Sequence, residues 1–145
     1  MLFRSRGASA GGFTVLSALT RSTVFSAATS LYGVADLARL TRTTHKFESR
    51  YIGTLVGAAG ADDPVLAERS PLHHIDSIHA PLLLLQGSED PIVPADQATA
   101  MYEAVRDRGL PVALEVFQGE GHGLRMASSI HRALRIELNF YAQVW

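Results

Sequence analysis

Cysteine is absent from the 145 residues. A disulfide framework, a thiolate metal site and a cysteine nucleophile are therefore all excluded. Charge of one sign is not in excess either: 13 Lys and Arg stand against 14 Asp and Glu, a formal net charge of -1. Without a basic surplus there is no electrostatic footprint for nucleic acid. Long hydrophobic runs are missing as well. Ala80 to Leu85 is the longest, far too short to cross a bilayer, so no membrane partner is expected. Only Leu2 and Phe3 separate the first methionine from Arg4, which is not the apolar core of a secretory leader. The segment as it stands reads as soluble and cytoplasmic. What is present suits an ordinary core, with 47% hydrophobic and 19% charged residues in a length that makes one modest domain.

Phe3 to Arg6 reads as the end of a strand, followed by the small-residue turn Gly7-Ala8-Ser9-Ala10-Gly11-Gly12. Phe13, Leu16 and Leu19 then fall at helical spacing, giving a helix that closes near Ser22. The second half of Val24 to Tyr32 reads as a buried strand, and residues 34–61 as a pair of short helices or an irregular excursion. Asp62-Asp63-Pro64 opens another short helix, which Ser70-Pro71 ends. The run from Pro81 to Gly87, bounded by its proline and glycine, has the length of a strand buried on both faces. Ala98, Met101, Tyr102 and Val105 mark an amphipathic helix between Pro94 and Arg108, with Gly109 as its stop. Val112 to Phe117 is the next strand. Ser128 to Val144 is the last helix, with Ile130, Leu134, Leu138 and Tyr141 on one stripe. Strand, helix, strand, helix in this order implies right-handed crossovers in a parallel sheet, hence the α/β class.

Gly7-x-Ser9-x-Gly11 has the pattern of a nucleophile elbow, in which small residues allow a strained strand-to-helix turn to expose the serine. The helix that follows aims its N-terminal N–H groups at the same place, and the Ala10 N–H is a candidate oxyanion donor. Taken alone, a glycine-rich helix start explains the pattern equally well. Context adds to it. Asp90 lies just past the Leu82–Gln86 strand and His122 lies in a glycine-flanked loop just past the Val112–Phe117 strand. Both are at carboxyl ends of strands, the edge where the elbow also sits, and the order Ser, Asp, His is that of α/β-hydrolases. The residue types fit the chemistry. A serine hydroxyl needs a base to take its proton, an imidazole can do so near neutrality, and a carboxylate fixes the imidazole's tautomer. No cofactor is needed for that chemistry. The glycine-rich turn also lacks the lysine of a phosphate-binding loop.

With these residues in place the sequence resembles the C-terminal half of the catalytic domain of prolyl-oligopeptidase-type serine peptidases, most of all the acylaminoacyl-peptidase and dipeptidyl-aminopeptidase-like branch. The resemblance runs from Gly7 to Tyr141. It is carried by Gly7 to Gly12, Tyr32 to Leu37, Thr44 to Tyr51, Glu68 to Leu72, Gln86 to Asp90 with Val93-Pro94, and Gly119 to Gly123. It implies Ser9 as nucleophile, Asp90 as orienting acid, His122 as base, and Tyr32 and Val93 beside the pocket for the residue before the scissile bond. It also implies that further strands, a second oxyanion donor and a β-propeller precede this segment. The 145 residues are accordingly expected to be one partial domain, marginally stable and weakly active alone, with an exposed strand edge that favours self-association into a homo-oligomer.

His73, His74 and His79 are adjacent or nearly so, but their spacing is poor for sharing one ion, and no metal site is expected. Glu48 and Arg50 are expected to form a local pair or to support a loop, and Arg132 and Arg135 a solvated face. The expected function is a serine-type peptidase acting on short peptides. A carboxylesterase using the same triad and a non-catalytic remnant stand as alternatives.

Overall fold

The computed structural model describes residues 3–43 and 46–144, with the backbone alone over 46–50. Four strands, β1 (Phe3–Ala8), β2 (Phe25–Leu31), β3 (Leu82–Gly87) and β4 (Val112–Phe117), form one sheet in the order β1-β2-β3-β4. Every neighbouring pair is parallel. Parallel neighbours require crossovers. These are α1 (Ala10–Arg21), then the excursion α2 (Leu37–Thr43), α3 (Lys46–Val56) and α4 (Pro64–Glu68), then α5 (Asp96–Asp107); α6 (Ala127–Gln143) follows β4. The result is an α/β fold of four parallel strands with helices on both faces.

β3 sets the layers. Its leucines alternate between the two faces. Leu82 and Leu84 pack with Val15, Leu16 and Leu19 of α1 and Met101 and Val105 of α5. Leu83 and Leu85 pack on the other side with Ala133, Phe140 and Tyr141 of α6. A run of leucine with no polar alternation is thus what a strand covered on both faces requires. Gly109, at φ +72°, ends α5 in the left-handed conformation that glycine adopts without strain. Asp63 caps α4 by accepting the Val65 N–H at 3.0 Å and also takes the Ala59 N–H at 2.7 Å. Those two backbone donors, Ala59 first, hold its carboxyl below the usual range against the cost of burial.

Two elements, β2 and α6, differ from the expectation, and no element was expected at Pro71–Ser77. β2 begins at Phe25, so the strand occupies most of the Val24–Tyr32 stretch rather than its second half. Pro71–Ser77 forms short 3-10 turns kinked at His74. The ring of His74 there shares a hydrogen bond with the Glu68 carbonyl, 2.5 Å away. In α6 the stripe is turned outward: Ile130, Leu134 and Leu138 are 43%, 56% and 69% exposed, and only Tyr141 of the four is buried. The inward face is instead Ser129, Ala133, Glu137, Phe140 and Tyr141. Small and hydrogen-bonding side chains let this helix lie close on the sheet, where Tyr141 Oη and Thr29 Oγ1 are 2.6 Å apart and Arg6 Nε donates to Glu137 at 3.0 Å. Burial pushes the Tyr141 phenol up, a trend that the Thr29 hydrogen bond opposes. The expected Glu48–Arg50 pair lies outside the described side chains. Among the described residues no helix is long and apolar enough to cross a membrane.

Candidate active site

The turn after β1 is made by glycine contact and strain. A Cβ on Gly7 would lie 2.3 Å from the Gly11 carbonyl oxygen, so only glycine lets the first turn of α1 fold back over the strand end. Ser9 takes φ +54° and ψ -119°, a conformation that side-chain-bearing residues rarely adopt. The Ser9 N–H donates to the Leu31 carbonyl at 2.9 Å, which fixes the turn to the end of β2. Its side chain is thereby pushed out from the strand-to-helix junction.

Asp90 follows β3 and is 7% exposed. Its Oδ1 accepts the N–H groups of Ile92 and Val93, each at 2.9 Å, in a turn the carboxylate itself closes. Its Oδ2 lies 2.8 Å from His122 Nδ1. His122 Nε2 lies 2.8 Å from Ser9 Oγ. A carboxylate can only accept, so Nδ1 carries the proton toward Asp90 and Nε2 is left to accept from the serine hydroxyl. Three residues from the ends of β1, β3 and β4 thus form one continuous hydrogen-bonded chain.

The loop holding His122 is pinned from two sides. A Cβ on Gly87 would meet the Glu120 and Gly121 carbonyl oxygens at 2.4 Å, so the loop rests directly on the end of β3. Glu120, 2% exposed, accepts the Arg125 and Met126 N–H groups at 2.9 Å each and closes the loop onto the start of α6. The Arg125 N–H is the main reason that the Glu120 carboxyl sits below its usual range; burial works the other way, and the Met126 N–H and Ser129 reinforce the lowering.

A cleft of about 690 Å³ opens beside Ser9 and Ala10. Its wall is mostly apolar and includes Phe13, Val34, Leu37, Ile52 and Val93. Ala10 is the first residue of α1, where backbone N–H groups have no intrahelical acceptor. Val93 lies on the cleft wall. Tyr32 sits against the triad. Its ring meets the His122 imidazole edge-on, with centroids 5.0 Å apart. The backbone of Tyr32 is held at φ +39°, and its N–H donates to the Leu85 carbonyl at 2.7 Å. Two residues without an assigned role in the sequence also touch the site: Glu120, and Gln86, whose Nε2 lies 3.3 Å from Asp90 Oδ2. The visible sign of Gln86 is one polar residue ending a run of leucine; nothing in the sequence says that it is buried. Among the described residues no cluster of potential metal ligands occurs.

A model of the prolyl oligopeptidase family matches residues 4–145. Over 123 residues the chain is 32% identical to dipeptidyl aminopeptidase BIII of Pseudoxanthomonas mexicana, covering 81% of this chain and 18% of that protein. A solved puromycin-hydrolysing peptidase of Mycobacterium tuberculosis is 44% identical, with a TM-score of 0.87 over 97% of this chain and 22% of that one. An acylaminoacyl peptidase solved with Z-Gly-Gly-Phe-chloromethyl ketone is 26% identical, with a TM-score of 0.83 over 96% of this chain and 23% of that one. The chain spans about a fifth of the length of these relatives.

Proposed function

The chain belongs to the prolyl oligopeptidase family, and from that premise we propose that it forms the C-terminal part of the catalytic domain of a serine peptidase acting on short peptides. The observation that carries this reading is the unbroken chain from Ser9 Oγ through His122 to Asp90, with both contacts at 2.8 Å. In this mechanism Ser9 Oγ attacks the scissile carbonyl carbon as its proton passes to His122 Nε2. Asp90 holds the Nδ1–H and stabilises the imidazolium without taking its proton. The Ala10 N–H donates to the oxyanion. His122 then returns the proton to the leaving amine, and water, activated by the same imidazole, releases the acyl group from Ser9. Tyr32 limits the swing of the imidazole during these transfers.

The apolar cleft supplies the substrate preference. Val93, Phe13 and Val34 on its wall favour a bulky apolar side chain on the acyl side of the bond. Puromycin-hydrolysing and acylaminoacyl peptidases among the similar proteins support amide substrates of this kind. The test uses the complete polypeptide that carries this chain. Hydrolysis of an aminoacyl-anilide and of a p-nitrophenyl ester is compared before and after Ser9→Ala. Anilide turnover that drops on the order of 10⁶-fold in Ser9→Ala is the expected result. Turnover of the ester alone would make the protein an esterase. No turnover of either by the wild-type polypeptide would overturn the reading.

A further inference from the structure

The side chain of Gln86 is fully buried at the end of β3 and faces three oxygens at once. Its Nε2 lies 3.0 Å from the Val93 carbonyl, 3.2 Å from the Gly87 carbonyl and 3.3 Å from Asp90 Oδ2. An amide nitrogen has two protons, so three acceptors compete for them. The amide oxygen, by contrast, has no partner among the described residues. That asymmetry fixes the amide's orientation. Exchanging its two ends would aim Oε1 at a carboxylate and two carbonyls, which can only repel it. Asp90 is reached by donors from every side: the Ile92 and Val93 N–H groups on Oδ1, and His122 Nδ1 and Gln86 Nε2 on Oδ2. Gln86 shares the oxygen that His122 uses.

We propose that Gln86 is a positioning residue for the triad: its buried amide pins the Asp90 carboxylate and the Val93 carbonyl in one arrangement, so that Oδ2 faces His122. The inference rests on the serine-peptidase reading for its kinetic consequence, though not for its geometry. Val93 is bound on both sides of its Cα, its N–H by Asp90 Oδ1 and its carbonyl by Gln86. The amide therefore ties the acid to a wall of the cleft. Without the Gln86 donor, Oδ2 would turn on its remaining bonds, and the imidazole would lose its fixed direction toward Ser9.

The experiment uses the complete polypeptide with Gln86→Met, which keeps the length and burial of the side chain but donates nothing. Gln86→Leu, which is apolar and likewise donates nothing, serves if the first variant does not fold. Two quantities are read. One is the far-downfield proton resonance of the His122–Asp90 hydrogen bond, assigned through its loss in His122→Ala. The other is the kcat and KM for an aminoacyl-anilide. The expected result is a displaced or exchange-broadened resonance and a fall of about tenfold to a hundredfold in kcat and in kcat/KM together, with KM unchanged. A purely structural role would lower the melting temperature and leave both readouts in place in the folded protein. Wild-type kcat with an unmoved resonance in a folded variant would overturn the proposal. If the wild-type polypeptide hydrolyses no anilide, the peptidase reading falls, and the resonance alone still decides whether Gln86 holds Asp90.

Discussion

The strand that ends in Ser9 and the strand that leads to Asp90 are built in opposite ways. Every residue of β3 is buried, and it has a parallel neighbour on each side. β1 alternates exposed and half-buried residues, carries Arg4, Ser5 and Arg6, and among the described strands pairs with β2 alone. The strand that leads to the acid therefore owes its position to general burial. The nucleophile depends on a few specific tethers: Arg6 Nε on both Glu137 oxygens at 3.0 Å, the Arg4 guanidinium 4.9 Å over the Tyr141 ring, and the glycine contact of Gly7 with Gly11. One half of such a site is hard to move and costly to damage. The other can be shifted cheaply, one contact at a time.

The largest effect that this contrast implies lies in β3. Leu83→Ala removes a fully buried side chain between β3 and α6 and should cost about 2–5 kcal/mol in denaturant unfolding. A cost near that of a surface change would erase the distinction between the strands. Glu120→Gln comes next, and its cost is felt above about pH 4.5 and fades in acid. The folded-state carboxyl of Glu120 is held below its ordinary 4.5, so its contribution is full above that value and is lost as pH falls through the depressed one. The wild type should lose stability below about pH 4.5 more steeply than the glutamine variant. Parallel acid unfolding curves for the two would contradict the role given to the Arg125 and Met126 donors. Arg6→Leu should have the smallest effect, about 1 kcal/mol or less, since the arginine side chain is 51% exposed. Its signature should be slower reaction at Ser9 rather than unfolding. A cost equal to that of Leu83→Ala would mean that the edge strand is as deeply committed as the centre.

The centre was also the more legible half. Four leucines bounded by a proline and a glycine could be helix or strand by pattern, but their length favours a doubly covered strand, and the apolar positions of α5 point inward as their period requires. The motif residues Ser9, Asp90 and His122 were readable because glycines and strand ends mark them. α6 was misread because periodicity separates two faces without saying which is inward. Ser129, Ala133 and Glu137 face the sheet because the helix approaches closely and Glu137 meets Arg6, a contact between residues 131 positions apart. Gln86 was silent for the same kind of reason. Its meaning lies in three oxygens that the chain delivers from Gly87, Asp90 and Val93 only once the turn has closed.

The central claim is that a serine on the edge strand reacts because an aspartate beside the central strand orients the histidine between them. A fluorophosphonate probe tests this most directly, with the labelled peptide identified by mass spectrometry in the complete polypeptide. The account predicts a single adduct on Ser9, none in Ser9→Ala, and a labelling rate that falls on the order of 10⁴-fold in Asp90→Asn, where the wrong imidazole tautomer faces the serine. An adduct on another serine, or Ser9 labelling that proceeds at the wild-type rate in Asp90→Asn, would contradict it.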